Sequence, residues 1–237
     1  MPVHFRHYDR ARDYQRVHEF LVAHHRPGNL DGNWLAPAWE YMHGHPALDE
    51  LALHNIGLWE TDGALVAVAH YESRLGEAFF QFHPEYTHLR ADMLAYAEAD
   101  LYGVKPDGTR YLNAYVNDYD RPFGELVRAR GYARDKAGAR PLSRFELTQL
   151  APPPLPQGFR LTSLADECNW AKVHRVLWRG FDHGDDIPMD EAELESRRLM
   201  FDTPAARRNL KVAVQAPDGE FVAFCGMFYE PVNRYAY

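Results

Sequence analysis

Residues 77–94 read EAFFQFHPEYTHLRADML. The first six, Glu77–Phe82, are rich in aromatic side chains and match the length of one strand. From Leu89 the period changes. Met93, Leu94, Ala97 and Leu101 fall on one apolar side of a helix over Leu89–Tyr102. A strand that runs through a short His-Pro junction into an amphipathic helix places the chain in a mixed class of strands and helices.

Upstream, a strand is expected near His4–Tyr8 and a helix over Asp13–His25, with Tyr14, Val17 and Leu21 on one face. Pro27-Gly28 and Asp31-Gly32 end that helix, and residues 37–52 suggest a second. Asn55–Glu60 and Ala64–Ser73 read as strands joined by Thr61-Asp62-Gly63, because Asp-Gly tolerates the positive φ of a hairpin turn. Downstream, Tyr111–Val116 is a strand and Pro122–Arg130 is a helix stopped by Gly131. Leu142–Leu147 is a last strand. The fold class is therefore α/β of the α+β type, a mixed and mostly antiparallel sheet flanked by helices.

The chain repeats itself. At a shift of 156 residues Tyr14 meets Trp170, Val17-His18 meets Val173-His174, Leu21 meets Leu177, and Gly28 meets Gly184. Asp62-Gly63 then meets Asp218-Gly219, and Val66-Ala67 meets Val222-Ala223. Ala151-Pro-Pro-Pro-Leu-Pro156 between the copies favours extended polyproline geometry and reads as a linker over 151–156. Copy one thus covers 1–150 and a second, partial copy covers 157–237. In copy two Phe159–Leu164, Asn209–Gln215 and Glu220–Tyr229 read as strands, and Arg234–Tyr237 begins another. Helices run from Asp166 or Glu167 to about Gly180 and over Asp190–Asp202, with Trp170, Val173 and Leu177 inward. Tyr237 aligns with Gln81, so residues 82–150 have no counterpart. The expectation is an interrupted second domain whose strand edge and apolar face are covered by self-association, as a homodimer, or by docking on copy one.

Composition narrows the function. The 237 residues are 46% hydrophobic and 25% charged, with a net charge of −8. Residues 1–150 hold 16 basic and 21 acidic side chains, and the rest hold 10 and 13. Neither half is basic, which disfavours nucleic acid as a partner. No apolar run reaches the length of a membrane span, and no secretory signal is readable, so a cytoplasmic location is the default. Cys168 and Cys225 are far apart and suggest neither a disulfide framework nor a zinc knuckle.

Element order and motifs together resemble the GCN5-related N-acetyltransferases (GNAT family) in a tandem form. Phe82-His-Pro-Glu-Tyr86 is similar to the V-H-P-E-Y that ends the family's fourth strand. Asp120–Tyr132, DRPFGELVRARGY, is similar to its N-x-x-A-x-x-L-Y-x-x-x-G-F segment, and copy two opens in the same style with GFRLTSLAD. The resemblance implies acetyl transfer from acetyl-CoA to the amine of a small-molecule acceptor. It also implies a cofactor loop, Q/R-x-x-G-x-G/A, at a helix N-terminus where backbone amides hold the pyrophosphate. In copy one the cofactor-binding positions are Phe82 at the strand end, Thr87 for Q/R, Arg90 for the first glycine and Asp92 for the second. Asp92 adds a charge of the same sign as pyrophosphate. Val127 replaces the tyrosine that serves the family as general acid. Copy one is thus expected to be a degenerate acetyltransferase domain, and the working loop belongs to the remainder of copy two, so this chain by itself is expected to be inactive. The alternative is a non-catalytic scaffold or dimerisation module.

The remaining candidates each carry two readings. Glu230 is a general base for the acceptor amine or the turn residue before Pro231, with Tyr229 and Tyr237 on the same strands, and Glu72 is its rival in copy one. Seven acids over 182–195 either cap a helix or form a mouth that attracts a cation. Eleven of 13 histidines lie in copy one, but no metal-ligand spacing is present, so surface histidines are preferred to a metal-dependent hydrolase. His18 and His174 recur at one helix position, which argues for packing first. Cys225, among Phe224 and Met227, reads as a small buried apolar residue.

Overall fold

A computed structural model describes residues 2–145, 151 and 154–237. In chain order the elements are β1 (His4–His7), α1 (Arg10–His24), α2 (Ala36–Gly44), β2 (Gly57–Thr61), β3 (Ala64–His70), β4 (Glu77–Phe82), α3 (Arg90–Asp100), β5 (Gly103–Val104), β6 (Arg110–Tyr111), β7 (Asn113–Ala114) and α4 (Arg121–Ala129). They continue with β8 (Arg160–Ser163), α5 (Trp170–Gly180), α6 (Glu191–Met200), β9 (Lys211–Gln215), β10 (Phe221–Gly226), β11 (Tyr229–Glu230) and β12 (Tyr235–Ala236). Short 3₁₀ turns precede β2, α3 and β9. The class is mixed α+β with antiparallel-dominated sheets flanked by helices.

The chain forms two compact units, Met1–Ala36 with Ala47–Phe145, and Pro37–Pro46 with Glu146–Tyr237. Unit 1 is built on a five-stranded sheet in the order β1-β2-β3-β4-β7, antiparallel except for the parallel β4/β7 pair. The β2–β3 turn is closed by Asp62 and Gly63, both at positive φ. Val66–Tyr71 are buried without alternation, so both faces of the sheet are covered. α1 covers the face that carries Arg6 and Leu58. Tyr96 of α3 covers the opposite face, against Phe5 and Trp59.

α1 begins three residues earlier than expected because Asp9 caps it, accepting from the Arg12 amide at 3.2 Å. Its buried residues are Asp13, Val17, Phe20 and Leu21, while Tyr14 is half-buried. Asp13 has no exposed surface. It accepts from Arg6 Nη1 and Nη2 at 2.6 and 2.7 Å and from the Asp9 amide at 2.9 Å. Arg6 also donates to both oxygens of Glu60. One guanidinium therefore ties β1, α1 and β2 together.

Several sequence expectations shift. The helix over 37–52 is α2 followed by a 3₁₀ turn, Glu50–Asn55, and the strand over 111–116 divides into β6 and β7 around Leu112. Leu142–Phe145 form no strand, and residues 146–150, the rest of that expectation, lie outside the described residues, as do Pro152 and Pro153 of the linker.

Unit 2 has a three-stranded antiparallel sheet, β10-β9-β8, with α5 on one face, and a short β11/β12 hairpin. Its core is Leu164, Val173, Ala213 and Phe221, ringed by half-buried Trp170, Val176, Leu177, Phe201 and Phe224. Trp170 and Leu177 are thus flank residues, because α5 stands on so narrow a sheet. Asn169, two or three residues past the expected start, caps α5 through the Lys172 amide.

Cys225 is exposed, which corrects its reading as a buried residue. A bulge between Phe221 and Ala223 changes the phase of β10, so Phe221 and Phe224 both pack toward α5 and Cys225 turns away. α2 also belongs to unit 2: buried Glu40 accepts from the Ala205 amide at 2.8 Å, and Tyr41 meets the Phe228 ring edge-on. Lys211 is wholly buried. Its Nζ donates to the Met227 carbonyl at 2.8 Å and lies 3.4 Å from the centre of the Phe228 ring.

Two stability predictions follow from these buried charges. Burial raises the Asp13 carboxyl pKa, but the hydrogen bonds from Arg6, Asp9 and Arg12 outweigh it and hold the group well below the usual range. A depressed carboxyl contributes stability above its unfolded pKa, near 4, that is lost as pH falls. Asp13→Ala is expected to cost about 3–5 kcal/mol in urea unfolding, because it leaves Arg6 half-paired. The variant should also lose less stability than the parent between about pH 5 and pH 3, the window in which the unfolded carboxyl takes up its proton. Equal acid sensitivity would refute the assignment.

Burial pushes the Lys211 ammonium down to about 8. A lowered lysine pKa means that the folded state binds fewer protons than the unfolded state at pH values between the two pKa values, so stability rises with pH there. Between about pH 7 and 9.5 the gain is expected to be about 2 kcal/mol, and Lys211→Met should remove that slope. A slope unchanged in the variant would show that another group titrates.

Candidate functional site

β4 and β7 pair at Glu77–Asn113 and Ala78–Ala114 and then part. Tyr115 N–H still donates to Ala78 O at 2.9 Å, and beyond it the strands leave a cleft of about 320 Å³ within unit 1. Phe80, Phe82 and Phe123 supply its aromatic wall, with Phe123 meeting Phe80 at 4.9 Å and Phe82 at 6.0 Å. The parted β4 main chain finds a side-chain partner instead of a strand. Asn33 Nδ2 donates to Phe82 O at 2.9 Å, and Phe82 N–H donates to Asn33 Oδ1 at 2.7 Å.

Residues 26–33 lie along the mouth. Asn117 Nδ2 donates to Gly32 O at 2.8 Å, and Tyr119 donates to Asn29 O at 2.9 Å. Gly32 has φ +77°, and a Cβ there would meet Asn117 Nδ2 at 2.5 Å, so only glycine serves. Behind this segment, Trp34 N–H donates to Gln81 Oε1, and Gln81 Nε2 donates to His70 Nε2 at 2.8 Å. His70 Nδ1 faces Tyr71 O, which can only accept. The neutral tautomer protonated at Nδ1 therefore satisfies both contacts.

The segment between β4 and α3 decides what the cleft can hold. Residues Pro84–Leu89 wind into a 3₁₀ turn. Several amides of this segment are used internally. Glu85 N–H donates to His83 Nδ1, Tyr86 N–H to His83 O, and Arg90 N–H to Thr87 O. The Arg90 guanidinium is also committed, donating to Asp120 Oδ2 at 2.9 Å and to Thr87 O at 2.8 Å. Asp120 in turn caps α4 through the Phe123 amide. An acetyl-CoA pyrophosphate needs free amides and an uncommitted cation together at the start of α3, where Arg90 is already spent. The residues here do not fit that group.

The structure brings Phe82, Thr87 and Arg90 to this one cleft. Asp92 stands exposed in the first turn of α3 and does not line it. Val127 lies half-buried on α4. Glu72 is elsewhere in unit 1, in an ion pair with Arg140, whose guanidinium lies over the Tyr115 ring. Glu230 and Tyr229 belong to unit 2. Buried Glu230 accepts from the Val232 and Asn233 amides, both at 2.7 Å, so both its oxygens serve the β11–β12 turn. Tyr229 is half-buried beneath the Arg207 guanidinium.

Asp190 caps α6 through the Glu193 amide and Glu195 pairs with Arg198, while Asp182, Asp185 and Asp186 are exposed. His174 is buried on α5, and burial together with the Arg197 charge holds it below the ordinary histidine pKa. Among the described residues no group of three or more His, Cys, Asp or Glu side chains could hold a metal ion.

Sequence reasoning missed Arg26, Asn33, Tyr115 and Asn117. The only signal near them was the Pro-Gly and Asp-Gly punctuation of residues 27–32, which marks a turn and says nothing about what it covers.

No protein-family model matches the sequence, and no curated protein matches it. Among solved structures, the chain is similar to a tandem GNAT protein from the clavulanic acid biosynthesis pathway, determined without acetyl-CoA. The match has 14% identity, covers 95% of this chain and 74% of that one, and has a TM-score of 0.46. No described helix is long and apolar enough to cross a membrane.

Proposed function

We propose that this is an acetyltransferase-like protein of tandem GNAT type in which unit 1 is a non-catalytic module. Acetyl transfer from acetyl-CoA to an amine is then the work of the second copy in the intact tandem protein. The observation that carries this reading is the start of α3. Its amides close a 3₁₀ turn, and Arg90 is spent on Asp120 and Thr87. A cofactor that binds through its phosphates must break these contacts first, and their loss offsets what it gains. The reading of copy two is supported by its element order. β8, α5, α6, β9, β10 and the β11/β12 hairpin follow the order of β1, α1, α2, β2, β3 and the start of β4. The exposed Asp182, Asp185 and Asp186 favour a cationic acceptor, since like-signed acids raise the local concentration of amines.

Calorimetric titration of the 237-residue chain with acetyl-CoA tests unit 1. Nothing tighter than about 1 mM is expected, the range in which only some −4 kcal/mol is available. A micromolar constant would overturn the non-catalytic assignment. For the second copy, a tandem protein carrying residues equivalent to 82–150 should release CoA thiol in the presence of polyamines, and failure to do so with any amine would count against acetyl transfer.

A further inference from the structure

We propose that the unit 1 cleft binds a small apolar monocarboxylic acid, with its aryl or alkyl body against Phe80, Phe82 and Phe123 and its carboxylate on Arg26. Four charged side chains line the cleft: Arg26, Asp31, Arg90 and Asp120. Three of them are already committed. Arg90 and Asp120 neutralise each other at 2.9 Å. Asp31 Oδ1 accepts from the Arg26 amide at 2.8 Å and Asp31 Oδ2 from the Asn33 amide at 3.1 Å. The Arg26 guanidinium has no hydrogen-bond or ion-pair partner among the described residues, so the mouth presents one uncommitted cation. A single carboxylate matches it, and a guanidinium is the planar donor that carboxylates take in bidentate fashion.

The polyphosphate of a nucleotide cofactor would bring several charges to one cation beside the Asp31 carboxylate, and the Glu85, Tyr86 and Arg90 amides of the adjoining turn are already bonded. The interior selects an apolar body. Phe80 and Phe123 are buried, and Arg90 covers the Phe82 ring at 5.5 Å, so this wall is aromatic. At the rim Leu30 is 66% exposed and Tyr119 57%, apolar surface that a bound hydrocarbon would withdraw from water. The cleft volume of about 320 Å³ lies at the lower end of ligand sites. It suits roughly 10–12 non-hydrogen atoms rather than a whole coenzyme. This inference extends the reading of unit 1 as non-catalytic by giving its cleft another ligand.

The test titrates the full chain with 3-phenylpropionate and octanoate, each beside its methyl ester, and with acetyl-CoA, by calorimetry and ligand-observed NMR. At least one acid is expected to bind at a sub-millimolar constant and at least tenfold more tightly than its ester. Arg26→Gln should reduce acid binding to the level of the ester and leave the ester unchanged, with an unaltered melting temperature because the side chain is exposed. Leu30→Asp, also at an exposed position, should weaken the acid at least tenfold by adding a like charge at the rim. Equal binding of acid and ester, no binding of either, or an unaffected Arg26→Gln variant would overturn the proposal. Acetyl-CoA binding tighter than either acid would overturn both this proposal and the non-catalytic reading. Failure of the acids together with failure of acetyl-CoA would overturn this one alone.

Discussion

The parting of β4 from β7 after Ala78 is the constraint around which unit 1 is arranged. A parallel pair that stops after two residues leaves β4 main chain without a ladder partner in a region closed off by α3 and α4. Buried amides and carbonyls do not stay unpaired, since each lost bond costs about 1–3 kcal/mol. Asn33 resolves this at Phe82 with both ends of its amide. That bond anchors the segment after α1, and the contacts of Gly32 and Asn29 with Asn117 and Tyr119 then carry the segment across the opening. The cleft and the strap over it have one cause.

The same opening separates the shape of the cleft from the chemistry of its rim. The wall, Phe80, Phe82 and Phe123, is held by packing, which does not depend on the chemistry of the α3 N-terminus. A glycine loop there keeps its amides free for an anion. Side chains in its place let the backbone fold on itself as a 3₁₀ turn and satisfy those amides from within. Arg90 then has no phosphate to answer and pairs with Asp120, an acid that also caps α4. The two helix starts that frame the mouth are thereby joined by one ion pair.

Legibility in the sequence followed the range of the interactions. β4 was readable to the residue, and the α3 and α4 faces nearly so, because their signals are local: a strand of aromatic residues, apolar spacing, and a glycine at C′. The Asp-Gly turn between β2 and β3 was likewise readable, since positive φ is a property of those two residues. Asn33 was not, because its partner is 49 positions away and nothing in the spacing of an asparagine announces it. Cys225 failed for a different reason. Alternation gives the phase of a strand only while the pairing is regular, and one extra residue at the β10 bulge moves every later side chain to the other face. The charge and bulk of Arg90 and Asp92 were plain in the sequence, whereas the use of Arg90 by Asp120, 30 positions away, was not.

The two units fasten their first helix to their first strands in a comparable way. In unit 1 an arginine of the first strand, Arg6, reaches Asp13 at the start of the first helix and Glu60 on β2. In unit 2 Arg160 of the first strand, β8, donates to Gln215 on β9 at 2.6 Å, and Gln215 donates to Glu167 just before α5 at 3.0 Å. Only the arginine is conserved in kind between the two. The amide of Gln215 does what a carboxylate does in unit 1, and Glu167, with Lys172 beside it, stands in for Asp13. What the two units share is a geometric requirement: the first helix is fixed against the first two strands of its sheet, five strands wide in unit 1 and three in unit 2. The solution in unit 1 is buried and charge-assisted, and that in unit 2 is more exposed and partly neutral. Buried pairs are screened less and lose more when broken, so the clasp of unit 1 is the stronger of the two.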